Sequence, residues 1–364
     1  MMGSDIDDRP RARPGNALKA AYRREKEHPG MYLVPPSEFC EAKLSTRTSD
    51  ISLMARRVLL MMLQHAAATG RGAETGLRFT MRLADLRPST HYHDNKRTKE
   101  ALEELKGIVL LVPCLSERGR PAISLENIFR SGIKYETAET TDALVSWEWD
   151  EGMRRSLENS RFFAVLERSM VALIEGQYAL ALYMLGASLV GRTRVNVPTW
   201  EGTIDELRAV LGVPKGKLKD WKDFRKRVLE PAVLEVTQLA PFMVIAEPIM
   251  QAGAYKRIKL EFVAKDYATH LEHRQQLLPL TQAERRERRE ADVKGMIATL
   301  RAGVETALQE LLNAPKKLGP RPPRQKANKT RDPQAVAELA EIAKRREEQL
   351  ALEFNKKIAA KMRA

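Results

Sequence analysis

The chain has 364 residues and carries 62 Lys and Arg against 48 Asp and Glu, which gives a formal net charge of +14. Hydrophobic residues make up 43% of it, enough for packed cores, and the length predicts two or three domains. A basic balance of this size favours a polyanionic partner, either nucleic acid or an anionic membrane surface. The cysteines, Cys40 and Cys114, exclude a disulfide framework and a four-thiolate zinc site.

The apolar segments predict a protein that does not enter a membrane. The N-terminus has no apolar stretch of the kind found in signal peptides. The longest apolar segments, Val58–Leu63 and Tyr178–Leu185, fall well short of the roughly 18 residues that a membrane span needs. We therefore expect a cytoplasmic location.

The first part of the chain predicts a flexible arm followed by a winged helix-turn-helix. Residues 1–44 are polar and contain several prolines, and they predict an arm with a short helix at Leu18–Glu27. The elements predicted next are a helix over 50–68, strand Leu77–Met81, short helix Arg82–Leu86, helix Thr90–Lys106, strand Ile108–Pro113 and strand Ala122–Phe129. This order is typical of a winged helix.

The second part repeats that order, although the two halves share few residues. Its predicted elements are strand Val145–Trp149, helix Gly152–Leu157, one or two helices within Arg161–Val190, strand Arg194–Val197, helix Thr203–Leu211, helix Lys217–Val236, and strands Phe242–Pro248 and Arg257–Val263. The predicted fold class is α+β, mainly helical, with tandem winged helix-turn-helix domains. We place the first domain at residues 45–144 and the second at residues 145–275.

Residues 276–364 predict a basic, partly disordered and partly helical C-terminal extension. Residues 281–364 contain 20 Lys and Arg against 12 Asp and Glu, so they hold +8 of the net charge. The charge run at 281–292 and the Pro-rich stretch after it predict a disordered linker. A last helix is predicted over Pro333–Lys361.

Helix Lys217–Val236 is predicted to have two unlike faces. Its buried stripe has helical spacing and consists of Trp221, Phe224, Val228, Ala232 and Val236. The other face carries Lys217, Lys219, Lys222, Arg225 and Lys226, which we predict to contact DNA. Arg225 suits bidentate contact with guanine, and Pro231 predicts a kink after Glu230. The alternative is a core helix whose lysines are merely solvated.

A weaker set of cations lies in the first domain and on the predicted wings. The DNA contacts predicted at the start of the first domain's long helix are Asn95, Lys96, Arg97 and Lys99, and those predicted on the second wing are Lys256 and Arg257. Lys259, Arg118 and Arg120 are further candidates for phosphate contacts at the wings. An ordinary salt-bridged helix remains the alternative for the first set.

The sequence predicts no catalytic residue, no cofactor and no metal site. The pair His91 and His93 could belong to a metal-dependent nickase, but their flanks predict a helix cap, and the usual Tyr-x-x-Lys nucleophile spacing is missing. The chain has no GxxxxGK[ST] phosphate loop and no GxSxG motif. We therefore expect a binding protein rather than an enzyme.

Two segments resemble the replication initiators of iteron-containing plasmids. QYALALYMLGASLVGR at 177–192 is similar to one conserved helix of that family. LKDWKDFRKRVLEPAVLEVTQ at 218–238 is similar to a second, with matching residues at Phe224, Arg227, Val228, Leu229, Pro231, Ala232 and Glu235. TSDISLMARRVLLMMLQHA resembles the family's first helix more loosely.

The resemblance implies two winged-helix domains, of which the second is the main reader of repeated origin DNA. It implies that the first supports DNA binding and forms homodimers. Its implied partners are double-stranded origin DNA, the host replication initiator and the replicative helicase, and dimers would repress the initiator's own gene. A winged-helix transcriptional repressor remains the alternative, and a nickase using His91 and His93 is a third.

Overall fold

A computed structural model describes residues 16–35, 44–46, 51–87, 95–115, 118, 120–137, 140, 142–159, 162–190, 197–251 and 254–313. The chain divides into two compact units, residues 1–303 and residues 304–364. The second unit is described only over the helical residues 304–313. The packing that positions the candidate site lies within the first unit.

The first half of this unit alternates helices and strands. Its elements are helix α1 (Asn16–Glu27), strands β1 (Tyr32–Leu33) and β2 (Leu44–Thr46), helix α2 (Leu53–Ala68), strand β3 (Phe79–Arg82), a 3-10 turn (Leu83–Leu86), helix α3 (Lys96–Lys106), strands β4 (Ile108–Leu115), β5 (Pro121–Asn127), β6 (Phe129–Tyr135) and β7 (Leu144–Trp149), and helix α4 (Glu151–Asn159). The predicted order of elements is confirmed apart from three strands that the sequence did not predict, β1, β2 and β6.

The second half has the complete order of a winged helix. Its elements are strand β8 (Leu166–Glu167), helices α5 (Arg168–Leu173) and α6 (Gln177–Val190), strand β9 (Thr199–Thr203), helix α7 (Ile204–Leu211), helix α8 (Trp221–Phe224, Arg225–Leu229 and Glu230–Leu239), strands β10 (Phe242–Gln251) and β11 (Ala254–Ala264), and helices α9 (Tyr267–Leu277) and α10 (Gln282–Asn313). The strands form an antiparallel sheet in the order β10-β11-β9. The predicted strand at 194–197 lies largely outside the described residues.

The N-terminal segment belongs to the fold, so the prediction of a flexible arm is wrong for residues 16–35. Helix α1 packs on α2, with Leu18 buried between them. Strand β1 then pairs with β8, placing Leu33 opposite Leu166. The sequence signal was weak because α1 buries few side chains and β1 is only two residues long.

Strand β7 belongs to the first half, so the predicted boundary at 144/145 cuts through a sheet. It lies between β3 and β6, with Phe79 opposite Trp147 and Phe129 opposite Trp149. The ring centroids of these two pairs are 5.7 Å and 5.4 Å apart, and both tryptophans are buried. The aromatic cluster is a core of the first half.

Helix α6 lies in the core of the second half, and nearly all its side chains are buried. Gly186 lets it approach the sheet, because an added Cβ would lie 2.6 Å from the rings of Phe242 and Phe262. A close approach of this kind leaves no room for a larger residue. The helix therefore supports the sheet that carries the second wing.

Arg57 joins the two halves. Its Nε donates to the carbonyl of Val171 at 3.0 Å, and its Nη2 donates to the carbonyls of Ala172 and Ile174. These carbonyls lie at the C-terminal end of α5, where backbone carbonyls have no N–H donor within the helix. The buried guanidinium of α2 thereby fixes the entry to the second half.

Helix α10 replaces part of the predicted disordered linker, so that prediction is wrong for residues 282–313. Thr281 begins it with a capping box, since its backbone N–H donates to Glu284 Oε2 at 2.7 Å and its hydroxyl accepts from the Glu284 backbone N–H. The predicted helix at Pro333–Lys361 lies outside the described residues. Within the described part of the chain, no helix combines the length and apolar character needed to cross a bilayer.

Candidate nucleic-acid interface

Helix α7 is the first helix of the second helix-turn-helix, and both its ends are fixed locally. Thr203 and Glu206 form a reciprocal capping box at the N-terminus. Gly212 ends the helix in the left-handed region, with φ of 82°, which a glycine adopts without strain. The predicted helix end at Gly212 is confirmed.

The turn between the helices is longer than the sequence predicts. Gly216 and Leu218 have φ of 88° and 51°, respectively, and an α-helix cannot contain such residues. Helix α8 therefore begins at Trp221 rather than at Lys217. As a result, Lys217 and Lys219 lie on the turn and precede the helix.

Helix α8 continues past Pro231, so this proline lies in the helix interior as the sequence predicts, and the kink after Glu230 stays a prediction. A proline in an α-helix lacks the N–H donor, and its ring collides with the carbonyl four residues earlier. The chain widens into a π turn over Arg225–Leu229, where the Glu230 N–H donates to the Arg225 carbonyl five residues back. The helix then continues to Leu239.

One side of α8 is anchored in the core. The predicted stripe is buried at Phe224, Val228, Ala232 and Val236, while Trp221 is half-buried at the start of the helix. Beyond Pro231, Ala232 and every residue from Glu235 to Leu239 are buried. The structure thus agrees with a helix whose far end belongs to the core.

The opposite side of α8 and the turn before it expose lysines. Lys217, Lys219, Lys222 and Lys226 are all exposed. Among the described residues, the ammonium groups of Lys222 and Lys226 form neither an ion pair nor a hydrogen bond. Cations held out in this way on an anchored helix can approach phosphates without first losing a partner.

The two arginines on this part of α8 have acidic neighbours. Arg225 is half-buried, and its Nε lies 3.2 Å from Glu230 Oε1. Arg227 is exposed and lies 3.8 Å from Asp223. If Arg225 contacts a base as predicted, it has to exchange its Glu230 neighbour for that base.

Arg208 fixes the turn to helix α8, and it is not among the residues predicted from the sequence. Its Nη2 donates to the Lys219 carbonyl at 2.5 Å, and its Nη1 donates to Asp205 Oδ1 at 2.6 Å. Its guanidinium lies over the Phe224 ring, 5.0 Å from the centroid. A basic residue three positions after an aspartate in the last turn of α7 was the available signal.

The second wing is the β10–β11 hairpin, and its predicted cations differ in exposure and in their acidic partners. Lys256 is exposed. Arg257 is half-buried and donates to Glu201 Oε1 of β9 at 3.0 Å. Lys259 is paired with Glu261 at 2.7 Å. Lys256 is therefore the wing cation best placed for a phosphate.

The first-half candidates divide into buried and exposed residues. Asn95 is buried, accepting from Arg87 Nη2 at 2.6 Å and donating to the Thr140 carbonyl, so its placement does not fit the predicted DNA contact. Lys99 Nζ donates to the carbonyl of Thr137 at 3.0 Å. Lys96 and Arg97 are exposed at the start of α3. Arg118 and Arg120 are exposed near the first wing.

The buried end of α8 is held by α10. Glu235 accepts the backbone N–H groups of Glu175 at 2.6 Å and Gly176 at 3.2 Å, just before α6. Burial raises the pKa of Glu235, while Arg289, 3.4 Å away, acts in the opposite direction. Arg286 is paired with Glu175 at 2.5 Å. The charge run of α10 thus compensates one buried carboxylate, Glu235, and one partly buried carboxylate, Glu175, that lie far away in the sequence.

The alternative metal site cannot be placed, because His91 and His93 lie outside the described residues. Among the residues that are described, no group of three or more His, Cys, Asp or Glu side chains could hold a metal ion.

Residues 203–262 match the family model described as "Initiator Rep protein, WH2". The match contains α7, α8 and most of the β10–β11 hairpin, so it includes the segment at 218–238 on which the sequence resemblance depends most. The resemblance to replication initiators is thereby confirmed. No curated protein sequence matches the chain.

The chain also has structural similarity to two solved structures, one of them described as an initiator protein. A crystal structure of the Pi initiator protein in complex with iteron DNA has 18% identity and a TM-score of 0.46, and the match covers 65% of this chain and 98% of that one. Domains 2 and 3 of RctB have 10% identity and a TM-score of 0.35, with 61% and 85% covered.

Proposed function

We propose that this chain is a plasmid replication initiator that binds direct repeats, or iterons, at an origin and promotes opening of the DNA beside them. The observation that supports this most is the agreement between the family match and the geometry. Residues 203–262, which match the second winged-helix domain of initiators, are the same residues that expose the lysines of α8 on an anchored helix.

The geometry suggests how the second winged helix would bind. In a helix-turn-helix, the early turns of the second helix contact base edges while flanking cations contact phosphates. Lys222, Arg225 and Lys226 lie on those early turns. Lys217 and Lys219, on the turn before the helix, would contact the backbone at the entrance to the major groove.

The first half would supply auxiliary contacts through Lys96 and Arg97, at the N-terminus of α3. Two DNA-binding units in one chain suit a site that is longer than one helical turn. Successive repeats of about 20 base pairs would place bound copies about two turns apart, on one face of the DNA. Bending between them would favour opening of an adjacent A·T-rich stretch, where deformation costs less.

Three further parts of the proposal rest on the sequence resemblance: recruitment of the host initiator and replicative helicase, a homodimeric form, and repression of the chain's own gene. A cytoplasmic location is proposed from the pattern of apolar segments. We also propose that the chain acts by binding alone, without catalysis. A transcriptional repressor with the same fold is the second candidate, since the helix-turn-helix geometry suits both.

A plasmid maintenance assay tests initiation directly. A circular DNA whose only origin is the region flanking this gene should be maintained in host cells when the chain is supplied, and lost when it is not. A variant with Lys222→Ala and Lys226→Ala should fail to maintain the DNA, whereas Lys19→Ala, which replaces an exposed lysine of α1, should not differ from the wild type. Promoter repression without maintenance would favour the repressor, and nicking that is lost on His91→Ala would favour the nickase.

A further inference from the structure

The end of the second wing exposes two apolar side chains beside each other. Met250 and Tyr255 are opposite one another in the register of β10 and β11, and they are 56% and 41% exposed. The register shifts between Ile249 and Met250, which marks a β-bulge. Bulges redirect side chains at the ends of hairpins. The wing therefore presents an apolar pair where a solvated hairpin would present polar residues.

This pair is braced by helix α8. The ring centroids of Tyr255 and Trp221 are 5.8 Å apart, and Trp221 in turn lies 6.0 Å from the buried ring of Phe224. Trp221 is the first residue of α8, so the contact joins the start of the recognition helix to the wing. We call Met250, Tyr255 and Trp221 the apolar ridge.

Charge indicates what the ridge contacts. Lys256 follows Tyr255 directly, and Lys222 follows Trp221, and both are exposed. A ridge of three side chains is too small for a stable protein–protein interface, which buries about 800 Å² on each partner. Cations flanking a narrow apolar feature suit DNA, where phosphate rows border a groove that apolar side chains can enter.

Resting on the proposed function, we propose that the apolar ridge is a wedge for the minor groove of origin DNA. Met250, supported by Tyr255 and Trp221, enters between two base pairs and partly unstacks them, while Lys256 contacts the adjacent phosphate. Side chains of this type kink DNA at flexible pyrimidine–purine steps. The wing would then bend each repeat, and would favour repeats with such a step beneath it.

The bend angle of the bound DNA reports on the wedge independently of the binding affinity. The full-length chain is mixed with circularly permuted fragments that each contain one repeat, and the bend is obtained from their mobilities. A second set of fragments carries 2-aminopurine at successive positions, because its fluorescence rises when a base unstacks. The comparison uses the wild type, Met250→Ala, Lys256→Ala and Leu278→Ala, the last being an exposed leucine outside the second wing.

The wild type should bend the repeat and brighten 2-aminopurine at one step. Met250→Ala should reduce the bend by half or more and abolish the brightening, without changing the salt dependence of binding. Lys256→Ala should do the reverse, lowering the salt slope by about one while the bend remains. Leu278→Ala should match the wild type in both.

A bend and a fluorescence signal that survive Met250→Ala would overturn the wedge and leave the proposed function intact, as would a wild type that binds repeats without bending them. A wild type that shows no preference for repeats over random DNA would contradict the proposed function itself. Melting temperature and far-UV circular dichroism of each variant show that it has folded.

Discussion

The guanidinium of Arg208 lies 5.0 Å from the centroid of the Phe224 ring, and the same side chain donates to the Lys219 carbonyl at 2.5 Å. Phe224 is fully buried. One arginine of α7 therefore connects the exposed turn that carries the lysines to the anchored side of α8. Arg208 therefore helps to fix the position of the lysines on the turn relative to those on α8.

Replacing Arg208 with Ala should weaken both the fold and specific binding. Loss of a charged donor to a backbone carbonyl and of a cation–π contact predicts a decrease of about 1–3 kcal/mol in the free energy of unfolding. Cognate DNA should lose more affinity than random DNA, because the lysine turn is no longer fixed. Urea denaturation and DNA titrations measure the two effects. Arg23→Ala, on an exposed arginine of α1, is the matched control and should change neither.

Arg225 should contribute to sequence recognition only after it leaves Glu230. Arg225→Ala should lower cognate affinity by about 1–3 kcal/mol, the range for a bidentate contact with guanine, with little loss on random DNA. Glu230→Gln should raise affinity for both DNAs, since it removes a competing charge 3.2 Å from Arg225 Nε. Competition titrations against both DNAs measure this. Equal losses on the two DNAs for Arg225→Ala would mean that Arg225 contacts only phosphate.

Two truncations should separate the contribution of α10 to stability from the contribution of the net charge beyond it to DNA binding. Residues 314–364 contain 14 Lys and Arg against 6 Asp and Glu, so the whole +8 excess lies beyond α10. Removing 314–364 should flatten the salt dependence of non-specific binding and leave the melting temperature unchanged. An unchanged slope would contradict a role for this segment on DNA.

Removing 281–364 should also destabilise the second half. Arg289 would no longer compensate Glu235, and Arg285 and Arg286 would no longer compensate Glu175. Breaking a buried ion pair by removing one partner costs about 3–5 kcal/mol. Denaturant unfolding of the two truncations gives the difference, and equal stabilities would show that α10 contributes nothing to the fold.

Stability should rise with pH between about 7 and 10. Burial lowers the pKa of Lys265 to about 7, although Asp292 acts in the opposite direction. The Nζ of Lys265 donates to the Thr237 carbonyl. Between this pKa and the unfolded value of about 10.4, only the unfolded chain binds the proton. The free energy of unfolding should therefore increase by up to about 1.4 kcal/mol per pH unit in that window.

The neighbouring His273 adds to this trend at lower pH. Burial also lowers its pKa, so the folded state releases that proton before the unfolded chain does, and stability falls as pH decreases through about 6.5. Lys265→Met should flatten the rise above pH 7 and leave the fall below it. Thermal melts from pH 5 to 10 measure both, and a Lys265→Met profile identical to the wild type would contradict the assignment.

The sequence was sufficient for the order of the main helices and wing strands in each half and for the anchored stripe of α8, because these depend on local periodicity, whereas short strands such as β1 and β8 are too brief to show a period. Phe224, Val228 and Val236 are buried where helical spacing places them. The start of α8 could not be predicted from that spacing, since the lysines before Trp221 continue the period. The left-handed Leu218, a conformation rarely adopted by leucine, interrupts the helix instead.

Features that depend on distant partners were harder to predict. The arginines of α10 are typical of a solvated charge run, but partners more than 50 residues away, Glu175, Glu235 and Gln238, give them a structural role. The capping box at Thr281 and Glu284 was a local signal that a helix begins there. Asn95 lies next to a cationic run, yet Arg87 and Thr140 bind its amide.

A nuclease footprint on the DNA that flanks this gene shows whether the chain binds iterons through α8. We expect several protected segments of equal length and the same orientation, spaced by about two helical turns. Lys222→Ala with Lys226→Ala should remove them all at a concentration at which Lys19→Ala still protects every one. Protection of a single inverted repeat, or protection that survives the loss of both lysines, would contradict an initiator that binds iterons through α8.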